Sequence, residues 1–343
     1  MKAAFLIGKE KVEIKEAPQP VPGNGEVLVR VKKVGICGSD VHYFKEGRIG
    51  EQVVSGSFVI GHEAAGEVVG KGPDVTGFTV GQKVAIEPGI SCGKCEVCLT
   101  GKPNLCTKVQ FLGTPPTPGA FREFLAMPAA NFIPLPDNVS LEEGVLSEPM
   151  GIGLYAVNLI RISPGDSVAI FGCGPIGLSI IFFAKLAGAA SIFATDLIPE
   201  RRTYAKHIGA DYVFDPKKEN PVKKIIDLTK GRGVNSAFEA AGQKETLVQA
   251  IDSASLSGKV GMVGIPAEDC WQFPSFGARR KELALLNVRR SAFTAEKVIR
   301  LMATGKVNAK DMVTHNFSLE RISEGLQLVA GYRDGVIKAI VDI

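Results

Sequence analysis

The sequence predicts an α/β protein of two domains, one mainly β and one a doubly wound parallel sheet, and three observations carry that prediction. The chain has 343 residues, against roughly 150 for an ordinary domain. Its first part shows short β-type runs between Gly- and Pro-rich turns, whereas from about Ser167 onward β runs alternate with helical stretches. A glycine-rich string, GCGPIG, stands where that alternation begins. Hydrophobic residues at 45%, charged residues at 22%, 39 glycines and a mean hydropathy of +0.14 fit a compact α/β chain and exclude general disorder.

In the β-rich part, Glu26 to Val34 and Val80 to Ile86 read as strands. In the second part Val168–Phe171, Ser191–Thr195, Ser236–Glu239 and Lys259–Val263 are the candidate strands of a parallel sheet. Between them the pattern predicts helices over Pro175–Leu186, Pro199–His207, Pro221–Thr229 and Lys244–Ser253. Three of these open on proline, whose fixed φ suits a first helical turn. Leu319 to Ile343 reads as one helix and a β run, Val336 to Ile340.

Charge and polarity exclude several classes. The balance of 40 basic and 36 acidic residues leaves +4, and the basic spots Arg201-Arg202, Arg279-Arg280-Lys281 and Arg289-Arg290 are too short for a nucleic-acid footprint. The N-terminal apolar stretch Ala3 to Ile7 is too brief for a signal peptide, so a cytoplasmic chain is expected. Ser167 to Ala184 carries no charge, but Gly172, Gly174, Pro175 and Gly177 break it into a buried strand, a turn and an apolar helix rather than a membrane span.

The string Gly172-Cys173-Gly174-Pro175-Ile176-Gly177 follows a strand and opens a helix. Gly172 permits the tight turn, Gly174 lets the backbone approach a pyrophosphate, Gly177 lets helix pack on strand, and the helix N-terminus offers free N–H donors. Asp196 closes the next strand, where a carboxylate accepts from both ribose hydroxyls of an adenosine and repels a 2′-phosphate. That favours NAD over NADP, although Arg201 and Arg202 nearby could hold such a phosphate.

Four of the seven cysteines, Cys92, Cys95, Cys98 and Cys106, fall in one short segment, SCGKCEVCLTGKPNLC. Four thiolates on a loop suit a closed, tetrahedral structural zinc. An iron–sulfur cluster shares the CxxCxxC spacing, with its fourth cysteine placed differently. Elsewhere in the β-rich part, GICGSDVHYF carries Cys37, Ser39, Asp40 and His42, and GHEAAGEVVG carries His62 and Glu63. Cys37, His62 and Glu63 offer sulfur, nitrogen and oxygen, and three protein ligands with an open fourth position are the pattern of a catalytic zinc. Glu148, in SEPMG, is flanked by turn residues at the expected domain boundary and could complete or alternate in that coordination. Spacing alone leaves the ordinary readings open: a core cysteine, a hydrogen-bonded histidine, a Glu-Pro turn.

Taken together, GICGSDVHY, GRIG, GHEAAGEV, the cysteine lobe, the TPP run at Thr114 to Pro116, LPDNVSLEEG, SEPMGIGLYAV, GCGPIG and VTHNFSLE resemble, in order and over essentially the whole chain, the zinc-containing medium-chain dehydrogenase superfamily. The resemblance is nearest to its polyol branch, typified by sorbitol and xylitol dehydrogenases. It implies a GroES-like β-rich catalytic domain, residues 1–150 with 292–343, around a Rossmann NAD-binding domain, residues 151–291, with the active site in the cleft. It implies a catalytic zinc on Cys37, His62 and Glu63 with Glu148 beside it, and a structural zinc on the four-cysteine lobe. Ser39 matches the hydroxyl that relays the alcohol proton, with His42 a later carrier. Asp196 and Arg201 match positions at the adenosine ribose, and Val263, Gly264, Ile265 and Arg289 join the cofactor-binding set. Tyr43, Phe111, Glu148 and Arg290 match positions around the substrate.

The implied activity is oxidation of a secondary hydroxyl of a polyol to a ketose, with hydride transfer to NAD. One departure bears on the substrate: the aromatic-arginine-aromatic string of the family stands here as Arg289-Arg290-Ser291. A dehydrogenase of a sugar-alcohol phosphate, of the galactitol-phosphate type, or of L-threonine is therefore the alternative enzyme reading. A dinucleotide-binding sensor is the non-catalytic one. The resemblance also implies a homotetramer or dimer acting on a small molecule, without nucleic acid or membrane.

Overall fold

The computed structural model describes residues 1–268 and 270–343. It divides into two compact units, Met1–Glu148 with Ala292–Ile343, and Pro149–Ser291.

The first unit is built on a mixed sheet whose central strand is Glu26–Gly35. Alternation in EVLVRVKKVG buries Val27, Val29, Val31 and Val34, as expected for a strand that packs one face on a core. One edge of this strand pairs antiparallel with Glu63–Lys71, which in turn pairs with Lys83–Ile86. On the other edge Phe124–Pro128 takes its first half and Lys338–Asp342 its second. The register sets Gly35 opposite both Glu63 and Ile340. The C-terminal strand thereby reaches a point near residues 36–37, and Ile36 N–H donates to the Ala339 carbonyl at 2.9 Å.

The second unit is a six-stranded parallel sheet in the order Tyr212–Phe214, Ser191–Thr195, Ser167–Phe171, Val234–Glu239, Ala254–Met262, Ala284–Asn287. This is the doubly wound order, with the reversal beside Ser167–Phe171. Val168, Ala169, Ile170 and Phe171 are fully buried, which explains their uninterrupted apolar run. The helices Pro175–Leu186, Pro199–His207 and Lys244–Ser253 stand where the pattern predicts them. Among the described residues no helix is long and apolar enough to cross a membrane.

Several elements differ from expectation. SEPMG is not a turn: Glu148 and Pro149 lie inside a helix, Leu141–Ile160. Proline removes one backbone hydrogen bond there, but complete burial of Val145, Leu146 and Met150 holds the helix through it. The run read from Val80 begins at Lys83, because Gly81 turns at φ +86° and Val80 is exposed. The C-terminal strand is shifted to Lys338–Asp342, and Lys259–Val263 is the second half of a longer strand, Ala254–Met262. The short edge strands Tyr212–Phe214 and Ala284–Asn287 and the helix Gly38–Glu46 gave no comparable pattern.

Candidate active site

Cys37 sits where the central strand ends and the helix Gly38–Glu46 begins. Asp40, fully buried in the first turn, accepts from the Cys37 backbone N–H at 2.9 Å and from the Gly61 N–H at 3.0 Å. One carboxylate thus closes the helix start and ties it to the segment that carries His62. His62 and Glu63 follow at the head of the neighbouring strand, and a ligand atom from each of Cys37, His62 and Glu63 lies within 4.8 Å of the others.

The charges around this point are buried. Glu63 and Lys338 are 1% and 2% exposed, and the Lys338 ammonium donates to Glu63 Oε1 at 2.8 Å, to Oε2 at 2.6 Å and to the Ile36 carbonyl at 3.1 Å. Gly35 makes the room: a Cβ there would overlap a Glu63 oxygen. Burial pushes the Cys37 thiol up to about 12, with the Glu63 charge adding to it and Lys338 and a Ser39 hydrogen bond opposing. Burial likewise raises the Glu148 carboxyl to about 8, while His62 lowers it and Glu63, Cys37 and Glu87 raise it further. Phe111, nearly buried, sets its ring 5.4 Å from that of His62. Tyr43 is 2% exposed within the core, its hydroxyl 3.4 Å from Gln52 Oε1. Ser39 and His42, three residues apart on one helix, share a face of it.

In the cysteine lobe all four sulfurs lie within 4.8 Å of one another. Cys95 Sγ is 3.4 Å from Cys98 Sγ and 3.9 Å from Cys106 Sγ. Four thiolates on one tetrahedral zinc stand about 3.8 Å apart at the usual bond length, so the lobe fits a single ion. A cluster that interposes several irons and sulfides would hold them wider. The Cys106 sulfur also accepts from the backbone N–H groups of Cys92 and Lys108, both at 3.4 Å. Backbone hydrogen bonding, first from Lys94, and a bond from Cys106 bring Cys92 down to about 6.

In the parallel-sheet unit Gly172 turns at φ +102°, and a Cβ at Gly177 would overlap the Gly172 carbonyl. The Asp196 carboxylate accepts from Cys173 N–H at 2.7 Å and Ile198 N–H at 2.8 Å, tying the glycine turn to the end of the next strand. Arg201 is buried, with a guanidinium nitrogen 3.6 Å from the Cβ position of Gly174. Arg202 is held at 2.7 Å by the Asp196 carbonyl and at 3.0 Å by the Asp215 carboxylate. Gly264 packs against Gly242 and Glu239 so tightly that no side chain fits. Val263 and Gly264 donate their backbone N–H groups to the Glu239 carbonyl, Ile265 is 44% exposed, and Arg289 and Arg290 follow the last strand of the sheet.

Lys338 and Glu87 emerge only from the structure, and Asp40, named in the string GICGSDVHYF, gains its role there. A carboxylate three residues after Cys37 is a helix-start signal, and a lysine inside the apolar run VIKAIV invites a search for a buried partner. No sequence signal marks Glu87.

A buried three-ligand site and a doubly wound sheet with a glycine turn and a terminal acid are the parts of a metal-dependent, dinucleotide-linked oxidoreductase. Residues 23–137 match the alcohol dehydrogenase GroES-like domain and residues 175–304 the zinc-binding dehydrogenase domain. The chain is 38% identical over 341 residues to a sorbitol dehydrogenase of Bacillus subtilis, covering 99% of this chain and 97% of that one. It is 38% identical to a probable D-xylulose reductase A of Aspergillus fumigatus, covering 96% of each. A solved oxidoreductase of unknown specificity from Escherichia coli superposes with a TM-score of 0.95 at 33% identity, covering 100% of this chain and 99% of the other. The chain belongs to the zinc-containing medium-chain dehydrogenase superfamily, in its polyol dehydrogenase branch.

Proposed function

We propose that this dehydrogenase oxidises a secondary hydroxyl of a free polyol, sorbitol, xylitol or a close analogue, to a ketose, with NAD as the acceptor. The observation that carries the reading is the convergence of Cys37, His62 and Glu63 beside the Ser39 hydroxyl, in a family of zinc-binding dehydrogenases. The donor set of thiol, imidazole and carboxylate suits zinc. Cys37 and His62 would hold the catalytic ion, with Glu63 or Glu148 as the carboxylate ligand; the four cysteines would hold a second, structural ion. When bound, zinc lowers the pKa of the substrate hydroxyl and NAD takes the hydride from the carbon that bears it.

The chain's own residues do the remaining work. Ser39 accepts the hydroxyl proton at its Oγ and passes its own proton on, with His42 as the next carrier along the helix face. Asp40 keeps Cys37 and His62 in register through the two backbone N–H groups it binds. Lys338 neutralises Glu63, which would otherwise stand as an unpaired buried charge. Gly172 to Gly177 would cradle the pyrophosphate, and Asp196 and Arg201 would bind the adenosine ribose. Arg202 is already engaged by Asp215, which supports NAD over NADP. Tyr43, Phe111 and Arg290 are the proposed substrate contacts, and Val263, Gly264, Ile265 and Arg289 complete the proposed cofactor set. The unit Met1–Glu148 with Ala292–Ile343 is assigned the catalytic role and Pro149–Ser291 the cofactor role. A cytoplasmic homo-oligomer, tetramer or dimer, completes the proposal.

The test is NADH formation by zinc-analysed protein over sorbitol, xylitol, galactitol, their phosphates, L-threonine and simple alcohols. Chelator-sensitive turnover of a free polyol is the expected result. Turnover confined to a phosphate or to threonine would replace the substrate, and tight NAD binding with no turnover of any alcohol would favour a sensor.

A further inference from the structure

We propose that Glu239 is a positioning residue for the dinucleotide: its buried carboxylate and its carbonyl hold together two loops that support the glycine turn and carry Val263 to Ile265, and so set the affinity for NAD without touching the reacting groups. The inference rests on the dehydrogenase reading above and deepens it.

Glu239 ends the strand Val234–Glu239, which lies beside Ser167–Phe171, where the strand order of the parallel sheet reverses. In a doubly wound sheet that reversal is where a dinucleotide crosses. The side chain does not face water, for Glu239 is 0% exposed. Its Oε1 accepts from the backbone N–H groups of Ala241 and Gly242 and from the Thr246 hydroxyl, each at 2.8 Å. Its backbone carbonyl accepts from Val263 N–H at 2.9 Å and from Gly264 N–H at 3.1 Å. One residue therefore closes the loop after its own strand, ties that loop to the helix Lys244–Ser253, and anchors the loop after the next strand, Ala254–Met262.

Both loops reach groups assigned to the cofactor. A Cβ at Gly172 would stand 2.9 Å from atoms of Ala240 and Ala241, so the loop that Oε1 binds is packed directly against the glycine turn. Ala240 N–H also donates to the Phe171 carbonyl at 2.8 Å, at the entry to that turn. On its other side Glu239 meets Gly264: a Cβ there would lie 2.6 Å from Oε2 and 2.7 Å from the Gly242 Cα. Oε2 itself is buried and has no hydrogen-bond partner. A buried oxygen without a donor costs stability, so a carboxylate serving stability alone would pair both of its oxygens. This one leaves Oε2 unpaired and keeps Gly242 and Gly264 in close contact, which fits a residue placed to shape the two loops.

The test is direct binding of NADH, read by its fluorescence, together with Tm and KM, on wild type, Glu239→Leu, Glu239→Gln and Thr246→Val. Glu239→Leu leaves the Ala241 and Gly242 N–H groups without their acceptor. It is expected to weaken NADH binding about tenfold and to raise KM for NAD alike, with KM for the polyol at saturating NAD unchanged. Glu239→Gln keeps an oxygen at the Oε1 position and should hold NADH within about twofold of wild type. Thr246→Val removes one donor to Oε1 from a residue outside the cofactor set, and should weaken NADH about threefold even if Glu239→Leu does not fold. A lowered Tm with unchanged NADH affinity in Glu239→Leu and Thr246→Val would show a purely structural role and overturn the assignment, as would equal rises in KM for NAD and for the polyol. A wild type that binds no NADH would overturn the dinucleotide reading as well.

Discussion

The cysteine lobe draws its four thiols from one loop, Cys92 to Cys106, whereas the other candidate metal site takes Cys37 from a helix start, His62 and Glu63 from a strand head, and Lys338 from the C-terminal strand. The loop can form its site locally, with hydrogen bonds among its own sulfurs and backbone N–H groups. The second site exists only when the sheet register is complete, and it is buried, charged and internally balanced. A closed set of equivalent thiolates fits holding a loop together; a mixed, charged set with few ligands fits chemistry.

Five substitutions sharpen that contrast. The largest effect is expected from Cys37→Ser or His62→Ala, which should reduce NADH formation to background while circular dichroism and Tm stay near wild type. Lys338→Met should come next, lowering stability in urea by about 3–5 kcal/mol, because it strands the Glu63 carboxylate in the interior. Cys95→Ser should act on stability rather than turnover, lowering Tm by about 5 °C or more with kcat of the folded fraction preserved. The smallest effect belongs to Asp196→Ala, which should relax the preference for NAD toward NADP; equal kcat/KM ratios before and after would reject that role for Asp196.

A pH experiment separates the buried site from the lobe by another route. In metal-free protein burial raises Glu148 to about 8 and Glu87 to about 7, from 4.5. Groups whose folded value is raised contribute stability that is complete below the unfolded value and is lost as pH rises through the folded one. Metal-free wild type should therefore lose stability relative to a Glu148→Gln variant between about pH 4.5 and about pH 8, whereas the lowered Cys92 thiol contributes with the opposite sign to both proteins, and bound zinc should flatten the difference by compensating the carboxylate. A stability difference that moves in favour of wild type across that interval would contradict the burial of Glu148.

The parts of the molecule that were legible in the sequence are those whose signals are local. The glycine turn, the proline-opened helices and the four-cysteine spacing each follow from a few adjacent residues. The helix through Glu148 and Pro149 was not legible, because tertiary burial of Val145, Leu146 and Met150 outweighs the local preference for a turn. Convergence of Cys37 with His62 and Glu63 had to come from the resemblance, since spacing could not bring the three together. Asp40 and Lys338 act through register and long-range packing: Lys338 lies 275 residues from the glutamate it neutralises.

Metal content and turnover, measured together on wild type, Cys37→Ser and Cys95→Ser, test the division of labour most directly. The account predicts about two zinc ions per chain in wild type and about one in each variant, with turnover lost only in Cys37→Ser. Undiminished turnover in a Cys37→Ser protein that has lost one zinc would contradict it.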